Sequence, residues 1–99
     1  MIKHLSNANE FEQEVQGEVV LVDFYADWCG PCQMLAPNLE KLAKNDGIKV
    51  VKINVDEIPD LARQFRIMSI PTLMLFKDGK FVNKALGYMP LESLREFVK

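Results

Sequence analysis

The sequence of 99 residues contains few of the residues that carry most protein chemistry: two cysteines, one histidine and one tryptophan. It also lacks an excess of positive charge, because its formal net charge is -2 at pH 7. This charge composition lacks the excess of positive residues that is typical of proteins that bind nucleic acid or an anionic membrane surface. We therefore expect neither nucleic acid nor a membrane among its partners.

Long apolar runs are also absent. No stretch approaches the roughly 18 apolar residues of a membrane span, and the first residues, MIKHLSNANEFEQ, lack the apolar region of a secretory signal. With 48% hydrophobic residues, the chain can build one core. We expect a soluble, cytoplasmic, monomeric protein with a single domain over residues 1–99. In a reducing compartment, two cysteines are more often catalytic or metal-binding than structural.

The order of apolar patterns along the chain predicts an α/β domain. Short apolar runs typical of strands alternate with segments whose apolar residues recur at helical spacing. The predicted order is βαβαβαββα, with three strands joined by helical crossovers, which favour parallel pairing, and a C-terminal antiparallel hairpin. Asp78-Gly79 suits the type I′ turn of that hairpin, and Asn7 with Glu10 resembles a capping box. We expect a mixed sheet.

One predicted strand contains a charged residue. The segment VVLVDFYA, residues 19–26, is a near-continuous apolar run typical of a central strand covered on both faces, yet it includes Asp23. A buried carboxylate without a partner costs on the order of several kcal/mol when charged, and it usually stays neutral instead. Asp23 is therefore either an acid with a function or an acid on an exposed strand edge.

The same strand leads directly to both cysteines, in the segment WCGPC. Spacing i, i+3 places Cys29 and Cys32 on one helical turn, close enough for a disulfide if a helix begins there. The free N–H groups and positive dipole end of a helix start favour a thiolate. Pro31 suits the first turn because it has no N–H to lose. By position, we expect Cys29 at an exposed mouth as the attacking thiol, and Cys32 one turn inside as the resolving thiol.

Two other interpretations of the cysteine pair remain open. A zinc site needs four ligands, and the chain adds only the distant His4 and carboxylates, so a second ligand pair is missing. Two small core cysteines are the other possibility, although Gly30 and Pro31 between them mark a turn at a strand end. We expect no metal ion.

These motifs resemble the thioredoxin family along essentially the whole chain. The matching segments are VDFYAD, WCGPC, PNLEKLA, VKINVDE, IPTLMLFKDGK and a late GY. The resemblance implies the thioredoxin fold, a central mixed sheet flanked by helices. It also implies a protein-disulfide reductase and electron carrier without a bound cofactor, which reduces disulfide-containing client proteins. A thioredoxin reductase, either NADPH- and flavin-dependent or ferredoxin-linked, would reduce it again.

The resemblance also implies roles for residues around the cysteines. In thioredoxins, the acid that matches Asp23 lies beneath the second cysteine and helps it lose its proton. Lys52 matches a lysine that commonly neighbours this acid, although an ordinary solvated strand lysine is the alternative. Gly30 and Pro31 match the active-site turn of the reducing members.

Four further residues are candidates for substrate binding. Trp28 precedes the attacking cysteine, where an aromatic side chain offers a flat apolar contact, although a core tryptophan is the alternative. Pro71 resembles the cis-proline that faces the active site in the family, where the backbone of Ile70 pairs with an extended substrate segment. Gly87 matches a glycine that keeps the neighbouring loop low. The chain departs from many family members at four other positions, so the resemblance does not extend to partner preference there: Tyr88, Pro90, Met68 and Ser69.

Two alternative functions fit the same fold. One is an oxidant or isomerase that forms or rearranges disulfides. The other is a non-catalytic adaptor that uses the apolar surface of Trp28, Ile70 and Pro71. The intact cysteine pair argues against an adaptor as the sole role, because binding alone requires no thiols.

Overall fold

The computed structural model describes all 99 residues and contains five strands and four α-helices. The strands are β1 Ile2–His4, β2 Val19–Tyr25, β3 Lys49–Asn54, β4 Thr72–Lys77 and β5 Lys80–Leu86. The helices are α1 Phe11–Glu14, α2 Gly30–Asp46, α3 Pro59–Gln64 and α4 Leu91–Phe97. A 3-10 turn at Ala8–Glu10 leads into α1. The predicted order of elements is confirmed.

The strands form one mixed sheet in the order β1-β3-β2-β4-β5. β1 and β2 both run parallel to β3, whereas β4 runs antiparallel to β2 and to β5. This arrangement confirms the parallel pairing of the first three strands, the C-terminal hairpin and the central position of β2.

Helices cover both faces of the sheet. Because side chains alternate along β2, its residues contribute to a core cluster on each face. Val20, Val22 and Phe24 lie in a core cluster that includes residues of α1 and α3. Leu21 lies in the other cluster, which includes the buried leucines of α2 and α4: Leu35, Leu39, Leu42 and Leu94. Asp23 follows Leu21 by two residues and therefore faces α2.

Local sequence signals determine where several elements begin and end. The Asn7 side chain accepts a hydrogen bond from the Asn9 N–H at 3.0 Å, and Glu10 accepts from the Asn7 N–H at 3.2 Å. This is the predicted capping box. Asp78 and Gly79 have φ values of 53° and 78°, the positive values that a type I′ turn requires at both central residues. None of the helices combines the length and apolar character needed to cross a membrane.

Candidate active site

The cysteine pair lies between the end of β2 and the first turn of α2. A disulfide joins Cys29 and Cys32, whose Cα atoms are 5.2 Å apart. Cys29 is the N-cap residue of α2, and its Sγ accepts a hydrogen bond from the Cys32 backbone N–H at 3.2 Å. The sulfur thus occupies the position of the side-chain oxygen at an ordinary N-cap. Once the disulfide is reduced, the helix start stabilises negative charge on Cys29.

Both cysteines are buried, with 4% of Cys29 and 3% of Cys32 exposed. The expectation that Cys29 lies at an exposed mouth is therefore wrong. Apolar side chains, including those of Val55 and Ile70, pack against the cluster that Ala26 forms with the two cysteines. The Sγ of Cys29 also lies 3.7 Å from the carbonyl oxygen of Ile70. Sequence position alone could not reveal this cover, because Ile70 belongs to a segment forty-one residues further along the chain.

The segment that covers the disulfide continues into Pro71, and the Ile70-Pro71 peptide bond is cis, as the resemblance implied. The Gly87 N–H donates a hydrogen bond to the Pro71 carbonyl at 2.8 Å. Gly87 has a φ of 88°, which favours glycine, while a Cβ added there would meet no atom within 4 Å. Backbone conformation, rather than lack of space, therefore accounts for this glycine.

Trp28 is 71% exposed, which confirms the expectation of an exposed aromatic side chain. Its indole N–H donates a hydrogen bond to the Asp56 carboxylate at 2.9 Å. Asn54 shapes the turn that presents Asp56, because its side-chain oxygen accepts hydrogen bonds from the backbone N–H groups of Asp56 and Glu57 at 2.9 and 3.3 Å. Sequence analysis missed Asn54 and Asp56. The available signal was their position at the carboxyl end of β3, beside the end of β2, where sites of α/β proteins commonly form.

Trp28 forms part of an apolar groove. It has a volume of about 260 Å³, and its lining includes Trp28, Val55, Met68 and Ile70. Met68 is 94% exposed and so projects fully from the surface. The structure therefore brings two of the predicted substrate-binding residues, Trp28 and Ile70, into one concave apolar surface.

Asp23 lies in the interior with 1% of its side chain exposed, so the interpretation as an exposed edge acid is wrong. It is paired in register with Lys52 of β3, and Lys52 Nζ lies 3.6 Å from Asp23 Oδ2. Neither carboxylate oxygen of Asp23 accepts a hydrogen bond from the protein. Burial raises the pKa of the Asp23 carboxyl from 3.8 to about 6, because the nearby charge of Lys52 offsets only part of the desolvation.

Lys52 is not an ordinary solvated strand lysine, because only 11% of its side chain is exposed. Its ammonium lies 4.5 Å from the centre of the Tyr25 ring, a cation–π distance. Lys52 and Cys32 line the same cavity, which has a volume of about 300 Å³. The structure therefore places Asp23 and Lys52 on the side of the sheet where Cys32 lies, with a cavity large enough for several water molecules.

No three histidine, cysteine, aspartate or glutamate residues lie together in a way that could hold a metal ion. The only histidine, His4, lies on β1, which β3 separates from β2. Cys29 and Cys32 are the two cysteines of the chain, and a disulfide joins them to each other.

A family model described as Thioredoxin matches residues 2–99 of the chain. The chain belongs to the thioredoxin family. A thioredoxin from Alicyclobacillus acidocaldarius is 55% identical to it over 93 residues, which cover 91% of this chain and 88% of the relative. This family membership, together with a cysteine pair at disulfide distance, identifies a thiol-disulfide oxidoreductase with dithiol/disulfide reductase function.

Solved thioredoxin structures have the same fold. A mutant thioredoxin from Halobacterium salinarum matches with a TM-score of 0.91 at 40% identity, covering 98% of this chain and 87% of that chain. A second matching chain comes from a solved structure that describes the structural basis of the thiol resolving mechanism in yeast mitochondrial 1-Cys peroxiredoxin via glutathione/thioredoxin systems. Its TM-score is 0.88 at 37% identity, covering 98% of this chain and 92% of that chain. The redox interpretation of the cysteine pair and the expected thioredoxin fold are confirmed.

Proposed function

We propose that the protein reduces disulfides of client proteins by a two-step exchange in which Cys29 attacks and Cys32 resolves. The hydrogen bond from the Cys32 N–H to Cys29 Sγ carries this assignment, because it stabilises a thiolate on Cys29. In the first step, the Cys29 thiolate attacks one sulfur of the client disulfide. A mixed disulfide forms, and the other client sulfur leaves as a thiolate.

In the second step, Cys32 gives up its proton and attacks the Cys29 sulfur of the mixed disulfide. The Cys29–Cys32 disulfide forms, and the second client sulfur leaves as a thiolate, so the two electrons of the dithiol have passed to the client. We assign Asp23 as the acceptor of the Cys32 proton, because its ion-pair partner Lys52 lines the same cavity as Cys32. A carboxyl whose pKa is raised to about 6 is a suitable acceptor near neutral pH.

The residues around the disulfide hold the client. The apolar groove receives an apolar side chain against Trp28, and the backbone of Ile70 pairs with an extended client segment. Gly30 and Pro31 form the active-site turn. Pro71 and Gly87 shape the opposite side of the site, where their backbones are hydrogen-bonded.

The wider role is that of a monomeric cytoplasmic electron carrier that a thioredoxin reductase reduces again. Support comes from the match to thioredoxins and to the chain from the peroxiredoxin study, which is consistent with disulfide-containing clients. The oxidant and isomerase alternatives use the same cysteines but require a more oxidising potential. Equilibration with a dithiol buffer distinguishes them, since a reducing potential supports the reductase.

Trapping of the mixed disulfide tests the assignment of the cysteines. A Cys32→Ser variant should form a stable covalent adduct with a purified protein that has an accessible disulfide, because resolution is lost. The matched Cys29→Ser variant should form none. Adducts on the Cys29→Ser variant alone would reverse the roles, and reduction that survives loss of both thiols would favour the adaptor.

A further inference from the structure

A second, smaller cavity lies beside the apolar groove and has a volume of about 110 Å³. Its lining includes two exposed cations, Arg66 and Lys84, and the apolar side chains of Met68 and Leu86. Met68 also lines the apolar groove, so the two concave surfaces meet at this side chain. The smaller cavity thus extends the partner-facing surface towards β5 and gives it positive charge.

The two cations have no acidic partner in the molecule. Neither Arg66 nor Lys84 forms an ion pair, whereas six other lysines and arginines do. No aspartate or glutamate lines the cavity. Trp28, which also lines the apolar groove, is hydrogen-bonded to the carboxylate of Asp56. The groove therefore has a carboxylate beside Trp28 and two cations in the cavity that shares Met68 with it.

The backbone at Arg66 is unusual for a residue with a side chain. α3 ends in a Schellman motif, in which the Ile67 N–H donates to the Ala62 carbonyl at 2.9 Å and the Arg66 N–H donates to the Arg63 carbonyl at 3.1 Å. Arg66 is the left-handed residue of this motif, with a φ of 52°, and glycine is the usual residue at that position. A strained non-glycine residue at the edge of a functional surface points to a role for its side chain.

We propose that Arg66 and Lys84 bind a carboxylate of the client, and that the protein favours clients with an aspartate or glutamate close to the target disulfide. The planar guanidinium of Arg66 can hold a carboxylate through two hydrogen bonds, and Lys84 adds a point charge. This inference rests on the proposed function, because it names the class of client that the same site selects.

One short chain segment borders both the cavity of the cation pair, Arg66 and Lys84, and the disulfide. Met68 borders the cavity, and Ile70, two residues further, lies against Cys29. Two residues of chain span at most roughly 7 Å. A client strand paired with the backbone of Ile70 therefore brings a side chain within about three residues of its cysteine into reach of Arg66 and Lys84.

Charge-matched peptides test the proposal. Each peptide contains one intramolecular disulfide and a single Glu or Lys. In a series of such peptides, this residue lies one, two or three positions before or after the reacting cysteine. The protein variants are Arg66→Glu/Lys84→Glu and, as a control with the same change of net charge, Lys44→Glu/Lys80→Glu. Lys44 and Lys80 are exposed and form no ion pair. Urea unfolding of each variant verifies that it is folded.

For at least one position, the natural protein should reduce the Glu peptide about 3- to 10-fold more efficiently than the Lys peptide in kcat/KM at low salt, since exposed ion pairs are individually weak. The preference should fade at about 1 M salt, where charges are screened beyond about 3 Å. It should reverse in Arg66→Glu/Lys84→Glu and persist in the control. An equal Glu-to-Lys ratio in all three proteins, or an equal shift in the control, would overturn the proposal.

An uncharged small disulfide, hydroxyethyl disulfide, separates this inference from the proposed function. The natural protein should reduce it, because this uncharged reagent makes no use of the cation pair. If it does so while the peptides show no charge preference, the inference alone fails. If the natural protein reduces neither hydroxyethyl disulfide nor any peptide, the proposed function fails with it.

Discussion

Lys52 Nζ lies 3.6 Å from Asp23 Oδ2, in a position where only 1% of the aspartate side chain is exposed. At this distance the two side chains form an ion pair without a hydrogen bond. The buried carboxylate therefore loses its hydration, and the attraction of one nearby ammonium is its only compensation. The penalty is a property of the charged form of Asp23, and it therefore depends on pH.

Removal of this charge should stabilise the protein above pH 6. The folded pKa of Asp23 is raised from 3.8 to about 6, so the native state binds the proton more tightly than the unfolded chain. The contribution of Asp23 to the free energy of unfolding falls as pH rises through this window, and the full penalty remains above it. Asp23→Asn should therefore match the natural protein near pH 4 and exceed it by about 1–3 kcal/mol at pH 8.

Urea unfolding of the oxidised proteins from about pH 4 to about pH 8 measures this difference. Glu40→Gln, a change at an exposed helical carboxylate, is the control and should show no comparable trend. If the advantage of Asp23→Asn is constant across this range, Asp23 does not titrate as burial implies.

The same variant should release client mixed disulfides more slowly, because Cys32 has lost its proton acceptor.

Loss of the lysine should have the opposite effect. In Lys52→Met, only desolvation acts on Asp23, so its pKa should rise further and the protein should lose about 1–3 kcal/mol at pH 8 but much less near pH 4. The double variant Asp23→Asn/Lys52→Met should recover most of this loss, and the double-mutant cycle gives the coupling between the two side chains. Lys49→Met, which removes the partly exposed ion pair with Glu14, is the control. Equal losses at both pH values would show that Lys52 acts through packing alone.

Asp56 should hold Trp28 in the orientation that clients meet. Asp56→Ala removes the acceptor of the indole N–H, and we expect kcat/KM for a protein disulfide to fall about 2- to 10-fold, the equivalent of one hydrogen bond. Because Trp28 is the only tryptophan, its fluorescence anisotropy should also decrease. Asp60→Ala, on α3, should change neither quantity. An unchanged anisotropy would mean that packing, and not this hydrogen bond, positions the ring.

Relief of the backbone strain at Arg66 should stabilise the fold. A left-handed conformation costs a residue with a side chain about 1–2 kcal/mol, while glycine adds unfolded-state entropy, so Arg66→Gly should gain about 0.5–1 kcal/mol. Arg63→Gly, within α3, should instead lose about 1 kcal/mol. Chemical unfolding measures both variants. Destabilisation by Arg66→Gly would show that the Arg66 side chain contributes to the stability of the fold.

Much of the fold could be predicted because its signals are local. The apolar run around Asp23, the Asn7 cap and the Asp78-Gly79 turn each act within a few residues, and each predicted element is present. The cysteine pair could be predicted equally well, because the i, i+3 spacing of the cysteines and the strand before them lie in one segment. The antiparallel pairing of β4 with β2 was not assigned, because it joins segments about fifty residues apart and no local pattern encodes it.

The site was harder to predict where it depends on distant segments. Cys29 is buried because Ile70 reaches it from another part of the chain, and Trp28 is held by Asp56. Lys52 was linked to Asp23 only through the family resemblance. No sequence pattern indicated the cation pair, because Arg66 and Lys84 line one cavity only when the end of α3 lies beside β5.

The central position of β2 also determines which parts of the site unfold locally in the native state. β2 is hydrogen-bonded to a neighbour on each side, and its interior residues from Val20 to Phe24 are buried, so its amide hydrogens should exchange only when the whole molecule unfolds. The segment from Arg66 to Ser69 is outside the sheet and largely exposed, and its amides should exchange through local opening. Cys29 and Cys32 thus follow a slowly exchanging strand, whereas the segment from Arg66 to Ser69, which lines part of the surface that meets clients, opens locally.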